Sequence, residues 1–309
     1  MRILITGGAG FIGSNLADHY IELGHEVAIV DDLSTGRRSN LNPRADFHEL
    51  DMTDNAALAE VFEQVAPEVV NHHAAQMDVR RSVAEPQFDA ETNIVGTLNV
   101  LEAARTVGAR KIIFASSGGA VYGEPERIPA DEDVALAPIS HYGASKLAGE
   151  VYIQLYARLY EPTFTILRYA NVYGPRQNPH GEAGVNAIFG GMMLRGDTPT
   201  IFGRGDKTRD YVFVGDVVAA NVAALERGDG AICNIGTSVQ TSDQEVYDAV
   251  AAAVGFEEPA NYGEERAGDV RHTSVDPSRA KEALGWEPTM AFREGVALTV
   301  DYQREHEVD

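Results

Sequence analysis

Tyr142 and Lys146 form a Y-x-x-x-K pair within the run HYGASKLAGE, and together they could carry out proton transfer. On a helix, residues four apart lie on the same face, so the phenol would sit beside the ammonium group. A nearby cation favours the phenolate and lowers the pKa of a tyrosine, which suits proton exchange with a sugar or alcohol hydroxyl. The spacing alone is also typical of ordinary helices, in which the tyrosine packs and the lysine is solvated. The assignment therefore depends on the elements that would position the pair.

The N-terminal segment MRILITGGAGFIG has the pattern of a dinucleotide-binding turn. In order it predicts an apolar strand over 3–6, a turn with Gly7, Gly10 and Gly13, a helix over 11–23 and a second strand over 26–30 that ends in Asp31 and Asp32. Glycines let the backbone approach a pyrophosphate closely, and the start of a helix offers free N–H groups to it. The order of strand, glycine turn, helix, strand and acid is the context that this fingerprint requires.

The acid after the second strand favours NAD over NADP. A carboxylate at Asp31 can accept hydrogen bonds from the ribose hydroxyls and would repel a 2′-phosphate. Arg37 and Arg38 are evidence in the other direction, because arginines just beyond this strand can hold that phosphate. The position of Asp31 decides the prediction in favour of NAD.

A serine pair follows a further predicted strand. Residues 111–115 are an apolar run typical of a buried parallel strand, and Ser116 and Ser117 come directly after it. In doubly wound sheets, ligands bind beyond the carboxyl ends of the strands, so these hydroxyls would point toward the cofactor crevice. A serine pair in this place is otherwise a common turn former.

With these three motifs in order, the chain resembles the extended short-chain dehydrogenases/reductases, and within them the nucleotide-sugar 4-epimerases of the UDP-galactose epimerase type. The resemblance covers essentially the whole chain. Its further motifs are DDLSTG at 31–36, HHAAQ at 72–76, ETNIVGTLNV around Asn93, LRYANVYGP at 167–175, TRDYV at 208–212 and GDVRH at 268–272.

The resemblance implies a role for each catalytic side chain. Tyr142 would abstract the proton of the sugar 4-hydroxyl, Lys146 would hold the nicotinamide ribose and lower the Tyr142 pKa, and Ser117 would bond the 4-oxygen. Ser117 is favoured as the third residue after Phe114, and Ser116 remains the alternative. NAD would be tightly bound and regenerated in each turnover, because the 4-ketose takes its hydride back on the other face.

The resemblance also implies two sets of binding residues. Those for the cofactor are Gly7, Gly10, Phe11, Ile12, Gly13, Asp31, Asp32, Leu33, Ser34, Thr35, Gly36, Asp51, Met52, His73, Ala74, Ala75, Gln76, Asn93, Ser116, Tyr142, Lys146, Tyr169 and Val172. Those for the UDP-sugar are Ser117, Tyr142, Asn171, Val185, Ile201, Phe202, Arg209, Arg266, Asp269 and Thr273. No metal site is expected.

Alternating strands and helices predict an α/β fold, a Rossmann-type doubly wound parallel sheet with a smaller C-terminal substrate-binding lobe. We predict strands at 2–6, 26–30, 68–72, 111–115 and 164–169, and helices near 14–23, 55–65, 88–107 and 142–160. The NAD-binding domain would span 1–170, and 205–236 would return to it, with pieces near 212–226 and 231–236 rejoining the sheet. Residues 171–204 and 237–309 would form the substrate lobe. In the family, the helices near 88–107 and 142–160 build a four-helix bundle, which implies a homodimer.

Composition restricts the function classes. A net charge of −22 over 309 residues makes binding to nucleic acid or an anionic membrane unfavourable. No apolar run is long enough to span a membrane, and the cofactor strand begins at residue 2, so a cytoplasmic location is expected. Cys233 is the single cysteine, which excludes an intrachain disulfide and suggests a small core residue. Four lysines and the acidic composition fit a saline host, but a GC-rich genome would also favour arginine.

The sequence leaves the substrate preference open. Related dehydratases carry acids after the catalytic hydroxyl, whereas Gly118, Gly119 and Ala120 have no titratable group, so dehydration is not expected. In the family, a small residue at the position of Thr273 admits N-acetylated sugars. A uronic acid substrate would need a spare arginine such as Arg80 or Arg176. Two alternatives to a 4-epimerase remain, a nucleotide-sugar ketoreductase and a non-catalytic NAD sensor.

Overall fold

Short runs rich in isoleucine and valine form the central sheet of the computed structural model, which describes residues 1–179, 184–265 and 270–306. Over these residues seven strands pair in parallel in the order β11-β6-β5-β4-β1-β2-β3. The described strands are β1 (Arg2–Thr6), β2 (Glu26–Asp31), β3 (Asp46–Glu49), β4 (Val69–His72), β5 (Lys111–Ser117), β6 (Thr163–Tyr169), β7 (Asn171–Tyr173), β8 (Thr200–Phe202), β9 (Thr208–Arg209), β10 (Tyr211–Phe213), β11 (Ala231–Ile235), β12 (Thr241–Ser242) and β13 (Asn261–Gly263). This arrangement confirms the predicted doubly wound α/β fold.

Helices cover both faces of the sheet, because parallel strands need crossover connections that bury their apolar faces. The described helices are α1 (Phe11–Glu22), α2 (Asn55–Val65), α3 (Val79–Ala84), α4 (Pro86–Ala90), α5 (Gly96–Thr106), α6 (Gly118–Val121), α7 (His141–Leu159), α8 (Val185–Leu194), α9 (Val214–Ala224), α10 (Asp243–Val254), α11 (Ser278–Leu284) and α12 (Phe292–Glu305). A 3₁₀ turn spans Arg38–Asn40 and a π-helical turn spans Glu91–Val95. Within the described ranges, no helix combines the length and apolar character needed to cross a membrane.

Two local predictions were incomplete. The strand β3 was missed, because its residues DFHE form no apolar run and it lies at the sheet edge, where only one neighbour is needed. The helix predicted over 88–107 is interrupted by the π-helical turn that contains Asn93. Hydrophobic periodicity does not reveal such a turn, because one extra residue shifts the pattern only locally.

The segment 205–236 contributes to the main domain in two ways. The strand β11 joins the sheet beside β6, but the earlier piece predicted to rejoin it does not. Instead, β10 pairs with β7 outside the main sheet, and α9 packs on α1. Val217 and Ala220 of α9 lie in the same core cluster as the strands. Cys233 is fully buried in this cluster, which confirms its interpretation as a small core residue.

The smaller lobe has its own apolar core. Helices α8, α10 and α12 pack against one another around Phe189, Val246 and Val300. The short strand pairs β8–β13 and β9–β12 lie in this part of the chain. The C-terminal segment is tied to α9 by Asp216, whose carboxylate accepts hydrogen bonds from the backbone N–H groups of Thr289 and Met290.

Candidate active site

The carboxyl ends of five neighbouring strands bring the predicted site residues together. Gly7 follows β1, Asp31 ends β2, His73 follows β4, Ser117 ends β5 and Tyr169 ends β6. In a doubly wound sheet this edge holds the ligand crevice at the point where the strand order reverses, which here lies beside β1.

The glycine turn has the geometry of a pyrophosphate cradle. Gly7 has a φ of 72°, and a Cβ on it would lie 2.7 Å from the backbone nitrogen of Ala74. A Cβ on Gly13 would lie 2.2 Å from the carbonyl oxygen of Gly7, so only glycine lets α1 start this close to β1. No side chain of the described residues caps α1 at Gly10, which leaves its first N–H groups available to an anion.

Asp31 is the carboxylate that faces this turn. It is buried, and it accepts hydrogen bonds from the backbone nitrogens of Ala9 at 2.9 Å and Leu33 at 2.8 Å. Burial raises the pKa of Asp31, and these two hydrogen bonds oppose that rise. Each carboxylate oxygen keeps a free lone pair for a ribose hydroxyl. A Cβ on Gly36 would lie 2.6 Å from Asp31 Oδ1, so a larger residue there would fill the space beside the carboxylate.

The neighbouring charged residues are engaged elsewhere. Asp32 accepts the backbone N–H and the hydroxyl of Ser34 and so shapes the turn. Arg38 is ion-paired with Glu49 at the surface, and Arg37 donates to the Asn178 side chain at 3.3 Å. The glycine turn, the uncapped helix and Asp31 therefore fit NAD, and neither arginine is held against Asp31 to favour a 2′-phosphate.

Helix α7 presents Tyr142 and Lys146 to the end of β5. The Ser140 hydroxyl caps this helix by accepting a hydrogen bond from the Gly143 backbone nitrogen at 3.0 Å. The side chain of Tyr142 is hydrogen-bonded with that of Ser117. The Lys146 ammonium donates to the carbonyl oxygen of Ala115 at 3.0 Å and lies 6.0 Å from the centre of the Tyr142 ring. The three predicted catalytic side chains thus meet at one point.

Their pKa values differ from the prediction. Burial raises the pKa of Tyr142 to about 12, although the hydrogen bond with Ser117 lowers it. Burial lowers the pKa of Lys146 to about 8, against the negative charges of Asp89 and Glu150. The expected depression of the Tyr142 pKa by Lys146 is therefore not present in the chain by itself, because desolvation by burial is the largest influence on this phenol.

Two histidines support the crevice as neutral hydrogen-bonding groups. His73 Nε2 lies 3.0 Å from the Tyr169 hydroxyl, and the two rings are stacked with centres 5.9 Å apart. Burial and the Lys146 charge lower the pKa of His73 to about 3. His72 bonds the hydroxyl of Thr6 at 2.6 Å, and burial likewise depresses its pKa. The Thr6 hydroxyl also accepts the backbone N–H of Ala74, which fixes the chain next to Gly7.

Asn93 holds the segment that follows β4. Its side chain accepts the Gln76 backbone N–H at 2.8 Å and donates to the Gln76 carbonyl at 2.9 Å. Its amide nitrogen also donates to Asp89 and to the Ser145 hydroxyl, which connects this segment to α7. The π-helical turn aims Asn93 inward, in keeping with the frequent use of such turns at functional sites.

Ser116 and Ser117 point in opposite directions, since successive strand residues face opposite sides of a sheet. The Ser116 hydroxyl donates to the buried carboxylate of Glu150 at 2.5 Å, whereas the hydrogen bond with the Tyr142 side chain is made by Ser117. The geometry therefore favours Ser117 over Ser116 as the hydroxyl that would contact substrate.

The residues predicted for substrate lie along the boundary with the smaller lobe. Asn171 begins β7, Val185 begins α8, and Ile201 and Phe202 lie in β8. Arg209 Nη1 donates to the carbonyl oxygen of Thr208 at 2.8 Å, which holds the guanidinium beside β9. The predicted residues Arg266 and Asp269 lie outside the described residues.

The segment that contains Thr273 connects Arg209 to the turn after β5. The Thr273 backbone nitrogen donates to the Thr208 carbonyl at 3.2 Å. Two residues later, Val275 Cγ1 lies 3.0 Å from where a Cβ on Gly118 would stand. Thr273 is therefore placed between the Arg209 strand and the turn after Ser117.

Other predicted cofactor residues occupy the edge of the same crevice or its supporting core. Asp51 is exposed beyond β3, whereas the Met52 side chain is buried and packs against Gly96. Val172 lies in β7, and its carbonyl accepts a hydrogen bond from Gln177. The remaining members, Phe11, Ile12, Thr35 and Ala75, lie at the start of α1 or in the loops after β2 and β4.

Several residues that organise the site were not predicted. The buried pair of Glu150 and Arg168 supports Ser116, and buried Asp210 accepts the backbone N–H groups of Thr237, Ser238 and Val275. Glu150 follows Lys146 by four residues, so an acid on the same helix face as Tyr142 and Lys146 was a usable signal in the sequence. Asp210 gave no such signal, because its partners are distant in the chain.

Comparison with known proteins agrees with this geometry. The family model for the NAD dependent epimerase/dehydratase family matches residues 3–236. A UDP-glucose 4-epimerase of Mycolicibacterium smegmatis is 48% identical, over 98% of this chain and 99% of that protein. The UDP-glucose 4-epimerase of Thermotoga maritima solved with UDP-glucose has a TM-score of 0.97 at 48% identity, with 99% of both chains covered. The Thermus thermophilus UDP-glucose 4-epimerase in complex with NAD has a TM-score of 0.94 at 42% identity, with 99% of this chain and 100% of that chain covered. This chain therefore belongs to the NAD-dependent epimerase/dehydratase family.

Proposed function

We propose that this protein catalyses the NAD-dependent 4-epimerisation of a UDP-hexose, interconverting UDP-glucose and UDP-galactose through a transient 4-ketose. One observation carries the proposal: the hydrogen-bonded Ser117 and Tyr142 lie next to Lys146, at the same sheet edge as the glycine turn and Asp31. A proton-transfer group and a dinucleotide cradle at one edge suit the oxidation and reduction of a hydroxyl-bearing carbon.

Each side chain has a defined task in this reaction. The glycine turn, the α1 N-terminus and Asp31 would hold NAD, which when bound accepts the hydride from C4 of the sugar and returns it. Tyr142 would take the proton of the 4-hydroxyl and give it back, and Ser117 would hydrogen-bond the same oxygen. Lys146 would hold the nicotinamide ribose from its place against Ala115. Because the Tyr142 pKa is about 12 in the chain alone, positive charge near the phenol is needed for proton transfer at neutral pH.

The substrate would lie between the sheet edge and the smaller lobe. Arg209 has N–H groups beyond the one held by Thr208, and its planar fork suits a diphosphate. Val185, Ile201 and Phe202 would contact the uracil ring, and Asn171 would meet the diphosphate. Arg266 and Asp269 belong to the same predicted subsite.

The pocket is proposed to accept N-acetylated UDP-hexosamines as well as plain UDP-hexoses. Support comes from the small side chain of Thr273 on the segment between Arg209 and the turn after Ser117. A uronic acid is less well supported, because Arg176 is already paired with Asp18 at 2.5 Å. No acid stands at Gly118, Gly119 or Ala120, so a dehydration step lacks its proton-transfer group.

The protein is also proposed to act as a homodimer through α7 and the helices of 86–106. Val151, Leu155 and Leu159 recur every four residues on one face of α7, and all three are more than 40% exposed. Val95 and Phe88 add exposed apolar surface on the neighbouring helices. Light scattering during gel filtration would test this, and a monomer at micromolar concentration would refute it.

The decisive assay uses the purified protein without added cofactor. UDP-galactose, UDP-GalNAc and UDP-galacturonate are incubated separately, and the epimers are resolved by chromatography. We expect conversion of the first two, together with NAD released on denaturation of the protein. A requirement for stoichiometric added NAD(P) would instead indicate a ketoreductase. Binding of NAD without turnover of any nucleotide sugar would indicate a sensor.

A further inference from the structure

A buried charged cluster lies directly behind the proposed catalytic residues. Glu150 stands one turn beyond Lys146 on α7 and is fully buried. Its carboxylate accepts hydrogen bonds from Ser116 Oγ at 2.5 Å, from Arg168 Nε at 2.9 Å and from Arg168 Nη2 at 2.7 Å. A buried carboxylate with three charge-assisted or short hydrogen bonds is held in one orientation.

The sheet register places this cluster next to the catalytic hydroxyl. Ser116 of β5 pairs with Arg168 of β6, and the next pair in register is Ser117 with Tyr169. Since strand residues alternate between faces, fixing Ser116 toward Glu150 turns Ser117 toward the opposite face. Tyr142, the hydrogen-bond partner of Ser117, lies on α7 about two turns before Glu150, so one helix contacts both serines.

The cluster extends to the turn that follows Ser117. Arg168 Nη1 donates to the Tyr122 hydroxyl at 2.9 Å, and this hydroxyl donates to Asn234 Oδ1 at 2.8 Å. Tyr122 directly follows α6, the short helix that begins at Gly118. Both ends of the stretch 116–122 are therefore attached to the same guanidinium and carboxylate pair.

A stabilising role alone does not explain such a pair. Burying two charges costs several kcal/mol each in desolvation, and a well-packed apolar pair of similar volume is often at least as stable. Unlike an apolar pair, the ion pair makes directional hydrogen bonds. These bonds fix the positions of Ser116, α7 and β6 relative to one another.

We propose that Glu150 is a positioning residue for the reaction: acting through Ser116, it fixes the end of β5 so that Ser117 meets Tyr142, and it holds a negative charge one turn from Lys146. This inference rests on the proposed function for its kinetic consequence, but its structural consequence is independent of any activity. Glu150 itself contacts neither cofactor nor substrate, since its oxygens are engaged by Ser116 and Arg168.

The test uses Ser116→Ala, because Glu150→Gln would leave the buried Arg168 without its counter-charge and could prevent folding. Ser116→Ala removes the link and leaves the ion pair intact. The conservative variant Ser116→Thr keeps a hydroxyl at this position. The control is Thr165→Val, which removes another buried hydroxyl bond, from Thr165 Oγ1 to the Gly228 carbonyl at 2.8 Å, near the other end of β6.

We expect Ser116→Ala to lower kcat about tenfold to a hundredfold with KM changed less than about threefold, as displacement of a catalytic group by about 1 Å does. Ser116→Thr should recover most of the loss, and Thr165→Val should leave kcat near that of the unmodified protein. In a crystal structure of Ser116→Ala, the hydrogen bond between Ser117 and Tyr142 should be broken.

Two results would overturn the inference. One is a kcat for Ser116→Ala equal to that of Thr165→Val. The other is an intact Ser117–Tyr142 hydrogen bond in the Ser116→Ala crystal structure. If the unmodified protein epimerises no nucleotide sugar, the proposed function fails, and the crystal structure alone then decides the inference.

Discussion

Replacing Tyr142 by phenylalanine separates the chemistry of the phenol from its packing. The ring keeps its shape, so the contacts that hold α7 against the crevice should persist. Among the described residues, Ser117 is the hydrogen-bond partner of this side chain, and loss of one neutral hydrogen bond costs about 1 kcal/mol. For a chain of 309 residues that corresponds to a fall in Tm of about 1.5 °C.

The effect on turnover should be much larger than the effect on stability. A positioned proton-transfer group contributes about 10²–10⁴ in rate, which equals about 2.7–5.4 kcal/mol at about 1.36 kcal/mol per factor of ten. We therefore expect kcat to fall by at least about a hundredfold while the bound NAD per protomer stays constant. The assay is UDP-galactose turnover without added cofactor, with NAD content and Tm measured on the same preparation.

Tyr152→Phe is the matched control, because Tyr152 lies on the same helix and packs against the core. It should retain nearly full turnover. The reasoning about Tyr142 fails if its phenylalanine variant keeps more than about a tenth of normal kcat. It also fails if activity is lost only together with the cofactor and a Tm fall well beyond a few degrees.

Three further outcomes are expected. In ¹³C-lysine-labelled protein, one of the four lysine signals should titrate near pH 8, and this signal should be missing in Lys146→Arg. The pKa of Lys146 in the folded protein lies below its ordinary value of 10.5, so between these two pH values the unfolded chain binds more protons than the folded protein. The contribution of Lys146 to stability should therefore rise with pH across that window. Four signals that all titrate near the ordinary value would contradict the burial argument. Asp31→Ala should copurify with far less NAD, measured enzymatically after denaturation, and undiminished NAD content would show that Asp31 does not hold the ribose. The protein has a net charge of −22, so its negative charges repel one another in the folded state. Its Tm should rise as NaCl increases from about 0.1 M to about 1 M, since the screening length falls from about 10 Å to about 3 Å. A flat or falling Tm by calorimetry would mean that this repulsion is unimportant.

The cofactor half of the site could be predicted from the sequence because its determinants are local. The glycine turn needs residues that tolerate a positive φ or a close backbone approach, and Gly7 and Gly13 meet that need within one turn of chain. The spacing of Tyr142 and Lys146 places both on one helix face wherever the helix docks. The order of strands and helices then indicated which end of the sheet these residues share.

The substrate half depended on contacts between distant segments and was predicted only by resemblance. The approach of Thr273 to Thr208 and of Val275 to Gly118 has no periodic signature in the sequence. The edge strand β3 was missed for a related reason, since a strand with a single neighbour can be polar and short.

By itself, the sequence determined the fold class, the glycine turn and the shared helix face of Tyr142 and Lys146, because helix and strand periodicity and glycine stereochemistry act over a few residues. Only the tertiary structure decided which serine faces Tyr142 and that burial raises the pKa of this phenol to about 12. It also revealed the buried ion pair of Glu150 and Arg168, which contacts Ser116, the residue before Ser117. These features depend on desolvation and on the docking of α7 against β5 and β6, which are properties of packed surfaces and not of any short run of residues.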